Sequence, residues 1–493
     1  MGVIATQRQY IEGYCQPGTQ TFYLNIQRFV GETTDDQSRF YSITPDANGY
    51  WRWYVPQGKK VLSLRHACSR YSQANSDTLV SIDFSHIDPV ISFEYTFGYY
   101  SGYEYPCTNL KSVKGMRIVS DNSMSNDCFN GTFYGCSSLE YVDVHGWKNT
   151  TRATTIAYLF RDCTSLTTLD GQDEWALNLT TSSAWFRNCQ NIEELDFSNF
   201  TGGTAFNNYW FYNCYKLKRI KSWGNLHFSA TTMQNNFNNC YALEEIDLSV
   251  ISGSTPTSFA GAFNNCTSLE EIDLSSLGTC QVTNMQTAFS LCDKLKSVFG
   301  LDKLDVTNCT SFVSMCAYSK YLEDFDIHTW KPTVATLFNG CFRECYALKL
   351  NASTVWDVSG ATATSVDYMY ASGSIANQNA WAAESGRTPW ADFTHLSIPT
   401  VDNGATTTNF AQYHYGNDVV STCGNISESL SFSSTTLDLP SAILILQHLQ
   451  DVTGYGGETL TFSTATRALI AADATAMSLV QNARDNLGWT ITI

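Results

Sequence analysis

Apolar positions recur through the middle of the chain in one phrase, Phe-x-x-Cys-x-x-Leu-x-x-Ile-Asp. It reads Phe133/Cys136/Leu139/Val142/Asp143, then Phe160/Cys163/Leu166/Leu169/Asp170 and Phe186/Cys189/Ile192/Leu195/Asp196. It continues as Phe211/Cys214/Leu217/Ile220/Lys221, Phe237/Cys240/Leu243/Ile246/Asp247, Phe263/Cys266/Leu269/Ile272/Asp273 and Phe289/Cys292/Leu295/Val298/Phe299. The steps from Cys136 through Cys292 are 27, 26, 25, 26, 26 and 26 residues. Two further copies keep the register with departures. One has Cys316 at the Phe position and Ser319 at the Cys position; the next runs Phe342/Cys345/Leu348 with Asn351 in place of the apolar strand residue. Upstream, Leu79/Ile82/Asp83 and Cys107/Leu110/Val113 read as irregular early copies.

That period predicts stacked coils. About 26 residues suffice for one short strand and one helical or turn segment, the layout of a leucine-rich repeat. Leu-x-x-Ile-Asp supplies the strand, and Phe and Cys, three apart, fit the inward face of a helical turn. A single coil cannot cover both its sides, so stability comes from neighbours. The fold class predicted is an α/β repeat solenoid, a leucine-rich-repeat-like array with one short parallel strand per coil, a β-rich N-terminal cap and helix-containing C-terminal coils. The domains predicted are residues 1–75 as β-rich cap and attachment segment, 76–374 as solenoid, and 375–493 as transition and capping coils. In the last of these, Leu430-Ser431-Phe432 is echoed by Leu460-Thr461-Phe462 and by Thr490-Ile491-Thr492. Two helices are predicted between those strands, one starting at Pro440 and one capped by Asp473.

The phrase, with Val282-Thr283-Asn284-Met285 leading into Phe289, resembles the BspA-like leucine-rich repeats of gut and oral Bacteroidetes and the related surface-protein repeats of mycoplasmas. The resemblance is specific over 129–348. It implies a surface protein that binds host or bacterial components; similar arrays occur in phages of those bacteria.

Composition narrows the function classes. Twenty-nine basic against 46 acidic residues give a net charge of −17 without a basic cluster, which argues against nucleic acid and anionic membranes as partners. No apolar run is long enough to span a bilayer, so no membrane insertion is expected, and the start at Met1 lacks the apolar core of a secretory signal. The ladder Cys136, Cys163, Cys189, Cys214, Cys240, Cys266 and Cys292 reads first as reduced, buried packing, with disulfides or a metal as lesser alternatives. The file Asp143, Asp170, Asp196, Asp247, Asp273 and Asp326 reads first as structural, with a cation or ligand surface as alternative. Trp147, Phe200, Ile251, Leu277 and Trp330 share one coil position and read as core rather than as a sugar platform. Neither a nucleophile–base arrangement nor a phosphate loop nor a cofactor motif is recognisable. The chain is expected to be no enzyme and to carry no cofactor.

The functional expectation is therefore binding through surface. The candidate face comprises Glu193, Glu194, Lys218, Arg219, Glu244, Glu245, Glu270 and Glu271, outward positions beside the strand. The first reading is a virion protein, a phage fibre, decoration or receptor-binding component, that contacts other virion proteins through its N-terminal segment and a host surface protein or glycan through the array. Residues 1–55 are then expected to be removable without unfolding the array. The alternative is a bacterial cell-surface BspA-like adhesin that binds host or bacterial components. Homo-oligomerisation is compatible with either.

Overall fold

The computed structural model describes residues 8–32, 39–69, 72–99, 105–118, 127–206, 208–349, 356–371, 374–389, 395–406, 417–454 and 457–493; Asn351 lies outside them. The chain forms two compact units, Met1–Ala230 with Asn236–Ser252, and Thr231–Asn235 with Gly253–Ile493.

In the first unit most of the Ile-Asp segments pair as predicted, while Ile246-Asp247 forms no strand. Leu79–Asp83, Ser112–Lys114, Tyr141–Asp143 and Thr168–Asp170 lie side by side in parallel, and Glu194–Leu195 pairs in parallel with Arg219–Ile220. The alternation follows from the pleat: Val142 and Leu169 point into the core while the flanking residues do not. At the other end of this sheet, Tyr10–Cys15 runs antiparallel to both Leu79–Asp83 and Tyr50–Tyr54. Ile11 and Cys15 are buried there. The expectation that residues 1–55 are removable therefore needs correcting. Tyr10–Cys15 occupies the hydrogen-bonding edge of an array strand, and its loss would bare that edge to other chains.

One strand per coil is also too few. A second parallel ladder joins Lys148–Thr154, Ala176–Ser182, Thr201–Phe206, Asn225–Leu226 and Ser229–Ala230. In the second unit, Glu271–Asp273 pairs with Ser297–Phe299, and Cys280–Gln281 pairs with Leu304–Asp305, again in parallel. Single bridges link Ser258, Asn284, Ser311, Leu337 and Ser365 in succession. The second ladder is Thr- and Gly-rich with little apolar pattern, and it is extended because each copy has a like neighbour to pair with.

The Phe-x-x-Cys segment is not helical. Across 105–349 the described residues hold no α-helix, only two 3-10 turns, Ser249–Ile251 and Leu301–Lys303. The reason is backbone handedness. The residue before each ladder cysteine is left-handed, as in Asn188 (φ 64°), Asn213 (φ 61°), Asn239 (φ 62°) and Asn265 (φ 62°). A second left-handed residue precedes the phenylalanine by two, as in Tyr158 (φ 58°), Ala184 (φ 47°) and Tyr209 (φ 67°). Two such reversals in five residues close a pair of tight turns and forbid a helix. Asparagine tolerates this region best among non-glycine residues.

Inward residues stack from coil to coil. In the first unit Phe133, Phe160, Phe186, Phe211 and Phe237 form a file with ring centroids 5.4, 5.3, 6.0 and 5.5 Å apart. In the second, Phe263 and Phe289 stack at 6.1 Å and Phe312 and Phe338 at 5.7 Å. Trp147, Phe200, Ile251, Leu277 and Trp330 all lie in the core.

Apart from the one-turn helix Gln73–Ser76, the α-helices of the described residues belong to the C-terminal part. Ile375–Ser385 starts on the Ser374 cap and stops at left-handed Gly386. Farther on, Leu430–Phe432, Thr459–Phe462 and Thr490–Thr492 form one parallel sheet. Leu439–Gln447, with Pro440 in its first turn, starts on Asp438, and Ala474–Asn486 starts on Asp473. A third helix, Thr464–Ala472 on the Ser463 cap, lies between the last two strands and was not predicted. Ile470 is the residue of its Ala-rich run that reaches the core besides Thr466, too sparse a pattern to mark a helical face.

Candidate binding surfaces

All seventeen cysteines are buried free thiols. Each ladder thiol does more than fill space. Cys163 Sγ donates to the Phe133 carbonyl of the preceding coil at 3.1 Å; Cys189 donates to Phe160, Cys214 to Phe186 and Cys240 to Phe211 at 3.0, 3.1 and 3.1 Å. Cys292 repeats the bond to Phe263 at 3.1 Å in the second unit. Where the phrase has Ser319, its hydroxyl donates to Phe289 O at 2.5 Å. Serine is thus a working substitute in this row, not the misfit it looks in the sequence. Burial pushes these thiols up, Cys292 to about 12, so the reactive thiolate is suppressed.

The aspartate file closes side-chain turns, at strand ends for Asp196 and Asp273 and outside any strand for Asp247 and Asp326. Asp196 Oδ1 accepts from Ser198 N at 2.9 Å, Asp247 Oδ1 from Ser249 N at 2.8 Å, Asp273 Oδ1 from Ser275 N at 2.8 Å and Asp326 Oδ1 from His328 N at 3.3 Å. This side-chain turn folds the backbone out of the ladder. Hydrogen bonds from the Ser275 side chain and backbone hold the Asp273 carboxyl below its ordinary range. Asp170 instead accepts from the Tyr141 hydroxyl at 2.5 Å.

The candidate charged face is largely paired with itself. In the first unit Lys218 Nζ lies 2.8 Å from Glu193, while Glu194 takes both Arg219 and, at 2.9 Å, Lys221. The Lys218 ammonium lowers the Glu193 carboxyl and is itself raised. In the second unit Glu270 pairs with Lys296 at 2.8 Å. Glu244, Glu245 and Glu271 are exposed and have no ion-pair partner among the described residues. Within each unit these positions are thus cross-coil ion pairs with one or two carboxylates left over.

Glu12, Asp83 and His86 bring three ligating atoms within 4.8 Å of one another. Arg52 already holds Glu12 Oε2 through Nε at 2.8 Å and Nη2 at 2.6 Å, and Tyr50 donates to the same oxygen at 2.5 Å. A fixed guanidinium there opposes a cation, and the donor set does not suit a metal.

A further surface went unnoticed in the sequence. At the turn edge of the first unit, Arg161 lies over Tyr134 and Tyr158, 4.8 and 5.5 Å from their ring centroids. One coil on, Arg187 lies over Tyr209 and Tyr212 at 4.9 and 5.5 Å. The two arginines border an open cleft of about 320 Å³, with Ser183, Ala184 and Asn208 among its lining. Its signal in the sequence is column-wise. Arginine stands two residues before the cysteine in three copies, at Arg161, Arg187 and Arg343, of which only the first two are adjacent, and only alignment of the copies shows it.

Comparison with known proteins agrees with the coils. A family model described as BspA type leucine rich repeat region matches in six copies, over residues 105–218, 128–251 and 180–315. A model described as Mycoplasma protein of unknown function, DUF285, matches residues 257–382. No curated protein matches the chain. Among solved structures, a leucine rich cell surface protein from Faecalibacterium prausnitzii A2-165 is 15% identical, with 69% of this chain and 95% of that chain covered and a TM-score of 0.27. The coils of residues 105–315 thus match the BspA type leucine rich repeat model.

Proposed function

We propose that this chain is a non-enzymatic adhesin that acts at a bacterial cell surface and binds host or bacterial components through its coils. The observation that carries this reading is the run of BspA-type repeats over residues 105–315, in which the Phe and Cys rows are buried while outward rows differ from coil to coil. A repeat array of that kind separates folding from recognition, because outward side chains can change without touching the core. Weak contacts repeated along such a surface add by avidity. The repeat family weighs for the cell surface over a virion placement, to which the comparisons add no support.

Antibody labelling of intact and lysed producing cells tests the placement, paired with adhesion of purified chain to host extracellular-matrix proteins and to bacterial cells. Labelling of intact cells together with saturable adhesion is the expected result. Antigen found only after lysis, or sedimenting with virions, would overturn the cell-surface reading.

A further inference from the structure

The cleft at the turn edge owes its existence to one small residue. Five positions before the cysteine, three successive coils carry Tyr158, Ala184 and Tyr209, all left-handed. Ala184 is nearly fully buried and forms a floor where its neighbours place rings. The two tyrosines stand two coils apart, roughly 10 Å at ordinary strand spacing, which leaves room for one ring-sized group between them.

The charge at this place is also unbalanced. Arg161 Nε is 3.4 Å from Asp162 Oδ2, and that carboxylate also accepts from Asn188 Nδ2 at 2.5 Å. Arg187 has no ion pair among the described residues, and its buried Nε has no hydrogen-bond partner among them. A chain with a net charge of −17 thus sets two guanidiniums on adjacent coils, with Asp162 N donating to Arg187 O at 2.8 Å. Each guanidinium is held against tyrosine faces, which costs it little rotational freedom on binding.

We propose that this cleft binds an acidic saccharide, its carboxylate or sulfate held by Arg161 and Arg187 and its ring seated over Ala184 between Tyr158 and Tyr209. A guanidinium presents a planar fork of donors that matches either oxyanion. With Ser183, Asn208 and the two arginines among its residues the cleft has a largely polar lining, which suits sugar hydroxyls better than an apolar peptide side chain. This inference rests on the binding reading above and names a ligand class for it.

Calorimetry on the full chain tests it with a glucuronate-bearing oligosaccharide, its carboxyl-reduced counterpart, a sulfated counterpart and inorganic sulfate alone. Either acidic saccharide should bind, the two arms telling carboxylate from sulfate, and the reduced one should not. Arg187→Ala should weaken binding about tenfold or more, the usual consequence of losing a charge-assisted hydrogen bond. Ala184→Tyr should abolish binding with no change of charge, and the flanking coils show that a tyrosine fits that backbone. Arg343→Ala removes a guanidinium stacked in the same way in the second unit, on Tyr318 and Tyr368, and should leave binding unchanged. Should Ala184→Tyr fail to fold, Ala184→Leu, which also fills the floor without changing the charge, carries the same test. Equal binding of the carboxyl-reduced saccharide, wild-type affinity in the Arg187 variant, or tighter binding of a phosphotyrosine peptide would overturn the proposal. A chain that adheres to cells yet ignores both acidic saccharides overturns this site alone. One that binds them but is not displayed on cells overturns the adhesin placement alone.

Discussion

At the scale of single residues, the ladder cysteine combines two properties that the sequence presents as one. It is small and apolar enough for a buried row, and it carries a donor that reaches the carbonyl of the coil before. Cys240 illustrates the balance: it is fully buried, and its thiol donates to Phe211 O at 3.1 Å. Cys240→Ser keeps a donor, as Ser319 does naturally on Phe289, and should cost no more than about 1 kcal/mol. Cys240→Ala removes the donor and opens a small void, and should cost about 1–2 kcal/mol. Urea unfolding of the two variants checks the order. A serine variant less stable than the alanine one would show that the row tolerates no hydroxyl and that the thiol acts by packing alone.

At the scale of the element, the turn before each cysteine takes the place of the helix that Phe and Cys spacing suggests. Its left-handed residues also bond across coils. Asn213 Nδ2 donates to Asn188 Oδ1 at 2.8 Å, and Asn239 Nδ2 donates to Asn213 Oδ1 at 2.7 Å. Asparagine is therefore suited twice, by its backbone and by its amide, which can give and accept in one line. Asn213→Gly keeps the backbone relaxed and loses only the amide bonds, a cost of about 1–2 kcal/mol. Asn213→Ala loses the bonds and adds about 1 kcal/mol or more of left-handed strain. Glycine should thus be the milder change, and the two melting temperatures measure it; an alanine variant as stable as the glycine one would mean that the turn relaxes to another conformation.

At the scale of the whole molecule, the stacking of coils turns charges far apart in sequence into rows. Most of the face beside the strand pairs within its row, so its electrostatic signature is weaker than a list of residues implies. Charge reversal should then have two different consequences. Glu244→Lys with Glu245→Lys alters carboxylates that have no ion-pair partner among the described residues, and should change adhesion with the melting temperature held within a few degrees. Glu193→Lys sets a cation against Lys218, its present partner, and like charges across neighbouring strands are unfavourable. Circular-dichroism melts beside adhesion assays separate the two. Equal loss of stability in both variants would remove the distinction between paired and unpaired positions.

The sequence alone determined the period, the inward rows and the parallel pairing of the Ile-Asp strands. These features are local and repeated: each coil hides the same apolar positions at the same spacing, and every copy restates the rule. It also placed the C-terminal strand echo and the Asp473 cap, since capping depends on a residue and its near neighbours. Only the tertiary structure decided the rest. The second ladder is extended because a like segment lies beside it, which no single Thr-rich stretch declares. The Phe–Cys segment is a pair of left-handed turns because each turn's N–H groups find carbonyls on the next coil, as Asn188 N finds Tyr212 O at 2.7 Å, and that outweighs a helical spacing of apolar residues. The Arg161–Arg187 cleft needs residues from three successive copies in register. Register is a property of the stack, so the gap left by Ala184 between two tyrosines exists only once the coils are folded together.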